Sequence, residues 1–518
     1  IYHMGREEKA DLILNRQAMA SHTFVTGSTG TGKSNAVYHL LDEITKDGRT
    51  SFLVVEPAKG EYKNVFGSRA DVKVFGTNPR ETPLLRINPF AFPQNIHILE
   101  HIDRLVEIFN ACWPMYAAMP AVLKDAIERS YQKVGWDLRN SESEKGIFPT
   151  FFDLLDILPG VIEESHYSKD TQSDYVGALC TRVKSLTNGI YGSVFCAEDA
   201  LSDAELFDCN VVVDLSRVGS METKSLLMGI LVMKLQEYRM CGSEMNSRLR
   251  HVTVLEEAHN LLRKTSAEQS QEGANLQGKS VEMLANAIAE MRTYGEGFII
   301  ADQAPGLLDM SVIRNTNTKI ILRLPDEEDR KLVGKSAALK EAQIDELSKL
   351  PLGVAAVYQN EWPEAVLCKI EAYPMPENAV YHKPSKMPHE INAEFVFGQL
   401  AAGKELEPLG ISEMEQLKLW LKRHEMMLKP EDGRYLEQVF AGGELDVAKT
   451  RKAVFDFFGG ISTVVDYCAA AEKSFTPRKE FLEQLQGQYG LKAAAADWVL
   501  NSVISMGMSL NPDAKAVD

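Results

Sequence analysis

The sequence predicts an α/β fold in which a largely parallel β-sheet carries its functional residues along one edge. Three observations predict it: apolar runs of strand length that end in polar residues, helical patterns that precede several of them, and a glycine-rich loop between the first strand and the first helix. The carboxyl ends of parallel strands meet at one edge of a sheet. We therefore expect a doubly wound core with its site at that edge.

The glycine-rich loop is the most informative segment of the chain. It fits the pattern G-x-x-x-x-G-K-[ST] of a phosphate-binding P-loop. The β-prone run His22–Thr26 precedes it, and apolar residues at helical spacing follow it as far as Gly48, which suits a helix end. Main-chain N–H groups of such a loop, with the helix N-terminus, bind phosphate oxygens. The residues predicted to bind nucleotide are Gly27, Ser28, Thr29, Gly30, Thr31, Gly32, Lys33, Ser34 and Asn35.

A second strand supplies the carboxylates that a P-loop requires. The short apolar run that begins at His251 ends in Glu256 and Glu257. Lys33 is predicted to reach the β- and γ-phosphates of ATP, while Ser34 and Glu256 ligand Mg²⁺. Glu257 is the predicted base that polarises the attacking water. Two acids at a strand end can instead cap the next helix, but the P-loop upstream favours the catalytic interpretation.

Four more runs complete the predicted sheet. Ser51–Glu56 ends in an acid, and Asp214 lies near the end of a run that begins at Asn210. The segments Gly297–Gln303 and Lys319–Leu324 are also strand-like. The pattern indicates polar residues at the carboxyl ends of several parallel strands.

Composition limits the class of protein. The 518 residues are 45% hydrophobic and 25% charged, as in an ordinary globular protein of two or three domains. No secretory signal or membrane-spanning stretch is visible, and the seven cysteines form no C-x-x-C pair, so a reducing, cytoplasmic location without stable membrane insertion is expected. The net charge of −17 argues against a surface coated with nonspecific nucleic-acid contacts but is compatible with a local basic channel.

Interruptions of the α/β pattern predict the domain boundaries. The first part of the core is expected at 1–87 and the second at 208–372, separated by a helical insertion at 88–207 that lies on an outer face or a partner surface. Prolines mark a linker at 373–392. Residues 393–518 are predicted to form a small all-α domain.

The ordered set of motifs resembles the HerA/FtsK-type hexameric motor ATPases, closest to the HerA branch. Besides the P-loop, the matching segments are Glu56–Tyr62, Glu256–His259, Glu290–Gly295, Ala301–Pro305 and Asn315–Leu324. The resemblance covers residues 1 to about 372. It implies a RecA-like core, a homohexameric ring with ATP and Mg²⁺ at the subunit interfaces, and double-stranded DNA moving through the central pore.

Two features depart from the family pattern. Glu256 stands where aspartate is usual. The small β-barrel that HerA proteins carry ahead of the P-loop domain is not visible, since only the stub Ile1–Arg16 precedes it. The usual nuclease-docking surface is therefore either lacking or upstream of this chain.

Two further side chains follow the predicted catalytic strands. Gln303 is expected to hydrogen-bond the γ-phosphate or the attacking water; the alternative is a glutamine that ties a loop to the backbone. His259 is expected to orient the start of a helix or to satisfy the backbone rather than take part in the chemistry.

Two arginines are candidate fingers. In the family, the position of Arg292 resembles an arginine finger that reaches the neighbouring subunit's nucleotide and stabilises charge on the transferred phosphoryl group. The alternative is a surface arginine paired with Glu290 or Glu296. Arg323, placed inside an apolar strand, needs an anionic partner because a buried unpaired arginine is costly, and it is the second candidate.

Basic loops are the candidate DNA contacts. One runs from Arg263 to Lys279, and the other from Lys59 to Lys73 includes Lys63 and Arg69. Such residues would neutralise phosphates without reading bases. The alternative for each is an ordinary solvated loop charge.

Three functions are compatible with these observations. The leading one is an ATP-driven DNA translocase or helicase of the HerA type that works with a nuclease or another effector in DNA processing or anti-phage defence. The second is a motor ATPase of conjugation or type IV secretion, which copurifying membrane subunits would favour. The third is a scaffold ring whose ATP binding activates a partner effector, and DNA-stimulated hydrolysis would separate the first from the third.

Overall fold

A computed structural model gives the architecture of the chain. It describes residues 1–383 except 4–5, 8–9, 117, 144–145, 198–199, 243, 266–275 and 376–379, and then residues 430–440, 444–471, 478–482, 485, 499–501 and 503–504. The chain divides into two compact units, one of Ile1–Glu142 with Phe148–Lys383 and the other of Ser143–Ile147 with Pro384–Asp518. The finer domain boundaries stay predictions.

The strands belong to one large sheet and two short two-stranded ladders within the described residues. In chain order they are β1 (Tyr2–His3), β2 (Arg6–Glu7), β3 (Thr23–Thr26), β4 (Ser51–Glu56), β5 (Val72–Gly76), β6 (Trp136–Asp137), β7 (Glu142–Ser143), β8 (Asn210–Asp214), β9 (His251–Glu256), β10 (Glu296–Asp302), β11 (Thr318–Ile321), β12 (Val354–Gln359) and β13 (Val366–Lys369). The large sheet has nine strands within these residues, in the order β13-β12-β11-β3-β10-β9-β4-β8-β5.

The helices surround this sheet or form a separate stretch of the chain. In chain order they are α1 (Lys33–Thr45), α2 (Tyr62–Phe66), α3 (Ile98–Cys112), α4 (Met119–Lys133), α5 (Phe151–Glu164), α6 (Lys169–Tyr175), α7 (Thr181–Thr187), α8 (Gly189–Phe195), α9 (Asp203–Phe207), α10 (Met221–Gly242), α11 (Leu276–Glu290), α12 (Met310–Arg314), α13 (Glu327–Ser336), α14 (Glu341–Glu346), α15 (Pro430–Phe440), α16 (Val447–Phe457) and α17 (Gly460–Ala471). The last three belong to the second unit.

The pairing from β11 to β5 is parallel throughout, whereas β12 and β13 add antiparallel strands at one edge. The predicted parallel-rich α/β fold is therefore confirmed. The P-loop strand β3 lies between β10 and β11, and β9 lies on the far side of β10. The carboxyl ends of β3, β9, β10 and β11 consequently meet along one side of the sheet, the carboxyl edge, and their amino ends lie along the opposite side, the amino edge.

Both faces of the sheet are buried, which explains why its strands read as continuous apolar runs. Successive side chains of a strand point to opposite faces. Phe24 packs into a core with α3, α10 and α11, whereas Val25 packs into a second core with α1 and α2. Leu53 and Val54 of β4 divide in the same way. This is the doubly wound arrangement that the sequence predicts.

The described helices offer no bilayer-spanning segment: none combines the necessary length with sufficient apolar character.

Candidate functional site

The loop between β3 and α1 has a shape that requires glycine. Gly30 and Gly32 have φ angles of 76° and 105°, in the left-handed region. A Cβ atom on Gly27 would lie 2.7 Å from Thr31 Oγ1 and 2.8 Å from Leu322 Cβ. The loop therefore folds tightly in front of the N-terminus of α1, where main-chain N–H groups are available to an anion.

Side chains and carbonyls tie this loop to the ends of the two flanking strands. The amide and hydroxyl of Ser28 donate to the carbonyl oxygen of Arg323, at 3.0 and 3.2 Å. The hydroxyl of Thr31 donates to the Ser28 carbonyl at 2.7 Å. The hydroxyl of Thr29 donates to Gln303 Oε1 at 2.7 Å. Gln303 thus directly follows β10 and contacts the P-loop, as expected from its position, while its chemical role stays a prediction.

The structure brings Lys33 together with the two acids that end β9. Lys33 is 8% exposed, and its Nζ lies 3.1 Å from Glu257 Oε1 and 3.9 Å from Glu256 Oε2. The ammonium pairs with both carboxylates and offsets part of their negative charge in a buried setting. The lysine predicted to bind phosphate and the acids predicted to act on Mg²⁺ and water therefore share one site.

Glu256 is positioned by Tyr62 and Glu56, two residues of a segment that the sequence analysis noted but to which it assigned no role in the site. The hydroxyl of the buried Tyr62 donates to Glu256 Oε1 at 2.5 Å. Tyr62 is in turn fixed because Glu56 accepts the main-chain N–H groups of Glu61 and Tyr62, at 2.8 and 3.1 Å. Burial raises the pKa of Glu56 to about 8, so at neutral pH this carboxyl is mainly uncharged.

The donor set at this position fits Mg²⁺. Burial raises the pKa of Glu256, and the nearby Lys33 opposes that shift. Tyr62 occupies Oε1 of Glu256, whereas the cation nearest Oε2 is the ammonium 3.9 Å away. The Ser34 hydroxyl stands in the first turn of α1. A carboxylate and a hydroxyl are hard oxygen ligands, and Mg²⁺ binds with few protein oxygens and several waters or phosphates.

Glu257 has an unusual backbone. Its φ and ψ angles are 46° and 51°, in the left-handed region, directly after β9. For a residue other than glycine such a conformation costs about 1–3 kcal/mol and tends to occur at functional sites. Among the residues that the structure describes, Glu257 Oε2 is buried and makes no hydrogen bond. The side chain is therefore held in the site with one oxygen unsatisfied.

His259 and Asp302 stand on the other side of Glu257. The main-chain N–H and the Nδ1 of His259 both bond Asp302 Oδ2, at 2.8 and 2.9 Å, and the same Nδ1 is 3.6 Å from Glu257 Oε2. The hydrogen bond to Asp302 raises the pKa of His259. Asp302 ends β10 beside β9, so the acid-at-strand-end pattern could have indicated it, but the sequence analysis assigned it no role.

Arg292 lies at the opposite edge of the sheet. It is exposed and belongs to a 3-10 turn, Met291–Tyr294, that precedes the first residue of β10. The alternative pairing with Glu296 is wrong, because that carboxylate is fully buried against Arg239 Nε at 2.9 Å and His251 Nδ1 at 2.7 Å. Because the length of β10 separates it from the P-loop edge, Arg292 lies away from the P-loop of its own chain.

The expectation that Arg323 is buried inside a strand is wrong. Strand β11 ends at Ile321, and the Arg323 side chain is exposed. Its carbonyl accepts the Ser28 bonds, so Arg323 lies beside the P-loop of its own subunit. A buried anionic partner is therefore not required, and the physical argument that made it a finger candidate no longer holds.

The side chain of Asn35 is engaged elsewhere. Its amide nitrogen donates to the Glu371 carbonyl at 2.8 Å, and its oxygen accepts the Tyr373 N–H at 2.7 Å. Asn35 thereby fastens the chain after β13 to α1. The Asn35 side chain is therefore engaged away from the loop, and the predicted contribution of Asn35 to nucleotide binding stays a prediction for its main chain.

The structure also tests the predicted DNA contacts. Lys63 bonds Asp214 at 2.7 Å and Glu81 at 2.9 Å, and Arg69 bonds Asp71 at 2.7 Å. These cations are paired with acids, which favours the alternative of ordinary loop charges, and their contact with DNA stays a prediction. Most of the other candidate loop, residues 266–275, lies outside the described residues.

Comparisons with known proteins agree with this geometry. A family model described as "Helicase HerA, central domain" matches residues 3–321. The chain is 24% identical to "Probable helicase MJECL08" of Methanocaldococcus jannaschii, over 70% of this chain and 68% of that protein. It is 25% identical to the "DNA double-strand break repair helicase HerA" of Sulfolobus acidocaldarius, over 68% of this chain and 66% of that protein.

Solved structures share the fold. VirB4 of Thermoanaerobacter pseudethanolicus has a TM-score of 0.52 at 19% identity, covering 68% of this chain and 90% of its own. The plasmid coupling protein TrwB in complex with ADP and Mg²⁺ has a TM-score of 0.51 at 16% identity, covering 72% of this chain and 92% of its own. The alignments to the two curated relatives extend over about two thirds of each relative's length. Because the family model covers more than half of the chain and contains the P-loop, both acids of β9, Asp302 and Gln303, the chain belongs to the family of the HerA helicase central domain.

Proposed function

We propose that this protein hydrolyses ATP and uses the energy to move double-stranded DNA. The observation that carries the proposal is the meeting of Lys33 with Glu256 and Glu257 in front of a glycine-shaped P-loop. Membership in the HerA family adds the DNA substrate, since the Sulfolobus acidocaldarius relative is named a DNA double-strand break repair helicase.

The residues of the site divide the reaction among them. The P-loop N–H groups and Lys33 bind the β- and γ-phosphates. Mg²⁺ held by Ser34 and Glu256 would neutralise charge on those phosphates. Glu257 takes a proton from the attacking water while the oxygen of that water forms a bond to the γ-phosphorus. The bond between the γ-phosphorus and the oxygen that leaves with ADP breaks in the same step. Gln303, beside the P-loop, orients the γ-phosphate or that water.

In a homohexameric ring, Arg292 would act on the nucleotide bound by the neighbouring subunit. It is exposed at the edge of the sheet opposite its own P-loop, as a residue that serves a neighbour's nucleotide must be. The proposal includes DNA in the central pore and a nuclease or other effector in DNA processing or anti-phage defence in the cytoplasm, on the strength of the family resemblance. The helical stretch at 88–207 is proposed as an insertion at the outer or partner-facing side.

Hydrolysis of ATP with and without linear double-stranded DNA tests the function. The wild type should hydrolyse ATP faster with DNA, and Lys33→Ala should neither bind nucleotide nor turn it over, because it lacks the phosphate-binding ammonium. Lys46→Ala is the matched control, since Lys46 follows the other end of α1 and is exposed. Absence of Lys33-dependent hydrolysis would refute the proposal, while hydrolysis indifferent to DNA would favour the scaffold-ring alternative.

A further inference from the structure

The Glu257 carboxylate is held unequally on its two sides. On one side, the Lys33 ammonium bonds Oε1 at 3.1 Å. On the other, His259 Nδ1 lies 3.6 Å from Oε2, just too far for a hydrogen bond, and Oε2 is buried without a partner among the described residues. Glu257 therefore depends on Lys33 in the arrangement seen here.

Nucleotide binding removes that support. Lys33 belongs to the P-loop, and a P-loop lysine turns to the β- and γ-phosphates when they are bound. Glu257 then loses the cation on Oε1 while its backbone stays in a strained left-handed conformation. A buried carboxylate without a partner is unfavourable and poorly fixed. Some other donor has to hold it while it polarises water.

His259 is built to be that donor. Two bonds to Asp302 Oδ2, from its main chain and its ring, fix both its position and its orientation. Asp302 is itself fully buried at the end of β10, and its Oδ1 accepts the Ala304 N–H at 2.9 Å. These bonds hold the imidazole in the observed orientation. A shift of Glu257 of about 0.6 Å would bring Oε2 within hydrogen-bond reach of Nδ1–H, which two carboxylates would then share.

We propose that His259, anchored by Asp302, is a positioning residue that holds Glu257 in place for hydrolysis once the nucleotide has drawn Lys33 away. The inference rests on the proposed ATP hydrolysis. It assigns His259 a role through Glu257 and not through contact with nucleotide. The nitrogen that approaches Glu257 is Nδ1, so the position of the donor matters more than the presence of a ring.

Two substitutions of His259 separate this role from simple packing. His259→Asn keeps an N–H donor near the position of Nδ1, whereas His259→Ala removes it. We expect His259→Ala to lower kcat for ATP by about 10- to 100-fold, as misplacement of a reacting group does, with the Kd for ATP changed less than about twofold. His259→Asn should recover most of that loss. In a Glu257→Gln background, His259→Ala should have no further effect. His166→Ala, at an exposed histidine after α5, is the control.

The outcomes distinguish this inference from the proposed function. Equal turnover by the Asn and Ala variants would overturn the positioning role, and so would a loss of ATP affinity that accounts for the loss of rate. A wild type without hydrolysis would overturn the function and this inference together. If His259→Ala does not melt cooperatively, His259→Gln replaces it, because its amide nitrogen lies nearer the Nε2 position; the inference then requires Asn to be faster than Gln.

Discussion

Buried charged groups are paired differently at the amino edge of the sheet, where Arg292 lies, and at the carboxyl edge, where the P-loop lies. At the amino edge, Glu296 accepts from His251 at 2.7 Å, from Thr253 at 2.8 Å and from Arg239 at 2.9 Å, and all these groups are buried. Burial alone would raise the pKa of Glu296, but His251 and Arg239 outweigh it and hold that pKa below its ordinary value. Each charged group of this cluster has an oppositely charged partner without any ligand, although His251 Nε2 is buried and makes no hydrogen bond among the described residues.

At the carboxyl edge, the charged cluster is incomplete. Lys33 is shared between two acids, Glu257 keeps one buried oxygen without a partner among the described residues, and its backbone is strained. The comparison shows that burial of charge does not by itself mark a functional site. A functional site is indicated instead by charged groups whose partners a ligand can complete or exchange, together with backbone strain that the surrounding fold tolerates.

The largest expected effect is that a change of Arg292, at the amino edge, strongly lowers hydrolysis at a P-loop, which lies at the carboxyl edge. Arg292→Ala should leave nucleotide binding unchanged and lower hydrolysis by about 10³-fold or more, because an arginine finger stabilises charge on the transferred phosphoryl group. Mixing it with Lys33→Ala should restore part of the activity, at interfaces that combine an intact P-loop with an intact Arg292.

The mixing titration has distinct outcomes for each role of Arg292. No rescue means that Arg292 acts within its own subunit, and near-normal activity of the single variant means that it is only a surface charge. Native mass spectrometry with ATP and Mg²⁺ at micromolar protein should show a hexamer. The ring would be ruled out by monomers alone. Arg323→Ala, beside the P-loop, is the comparison variant.

The next effect is confined to the carboxyl edge. Glu257→Gln should lower the hydrolysis rate by about 10³-fold, within the range of a lost general base. It should bind ATP at least as tightly as the wild type, because the uncharged amide no longer competes with phosphate for Lys33. Binding of a fluorescent ATP analogue and phosphate release measure the two quantities separately. Hydrolysis at the wild-type rate would mean that the base is another group.

A matched change at the amino edge should affect stability alone. Glu296→Gln removes the buried charge that pairs with Arg239 and His251, and breaking one partner of a buried pair costs about 3–5 kcal/mol. Urea unfolding of Glu296→Gln and of Glu257→Gln should therefore give opposite results: a large loss of unfolding free energy for the first and little for the second. Glu257→Gln as the more damaging of the two would contradict the distinction between the edges.

The sequence predicts what depends on neighbouring residues. The run Ser51–Glu56 is β4 as observed, and the pair Glu256 and Glu257 directly ends a buried strand, because apolar runs with polar ends are local patterns. The motif for the P-loop likewise encodes a local turn. The meeting of these segments followed from the rule that parallel strands share an edge.

What the sequence could not predict depends on distant partners or on single residues at a strand end. Asn35 is engaged by Glu371 and Tyr373, more than 300 residues away, and a motif at residues 27–35 carries no trace of them. Lys63 finds Asp214 through the fold in the same way. Arg323 is exposed and not buried because β11 ends at Ile321, three residues before the predicted end of the run at Leu324.

The smallest expected effect is a pH dependence at the amino edge. His22 is buried at the start of the P-loop strand, with φ 63° and ψ 154°, and its Nδ1 accepts the Phe298 N–H at 3.0 Å. Burial lowers its pKa from 6.5 to about 4; Glu296 opposes that shift, and Arg292 adds to it. Between pH 6.5 and about pH 4, His22 is therefore protonated in the unfolded chain but not in the folded protein. Stability from this group is complete above pH 6.5 and is lost as the pH falls towards 4.

The predicted loss is about 2 kcal/mol between pH 7 and pH 5, from the linkage of one pKa unit to about 1.4 kcal/mol. His22→Asn keeps an acceptor for Phe298 but does not titrate in this range, so its unfolding free energy should fall less over the same interval. The raised pKa of His259 acts in the opposite sense, stabilising the fold at low pH, and is common to both proteins. The difference between the two urea-unfolding curves thus isolates His22. If the unfolding free energies of the wild type and of His22→Asn changed with pH in the same way, the burial of His22 would not control its protonation. The pairing of charge at the amino edge would then depend on Glu296 and not on His22.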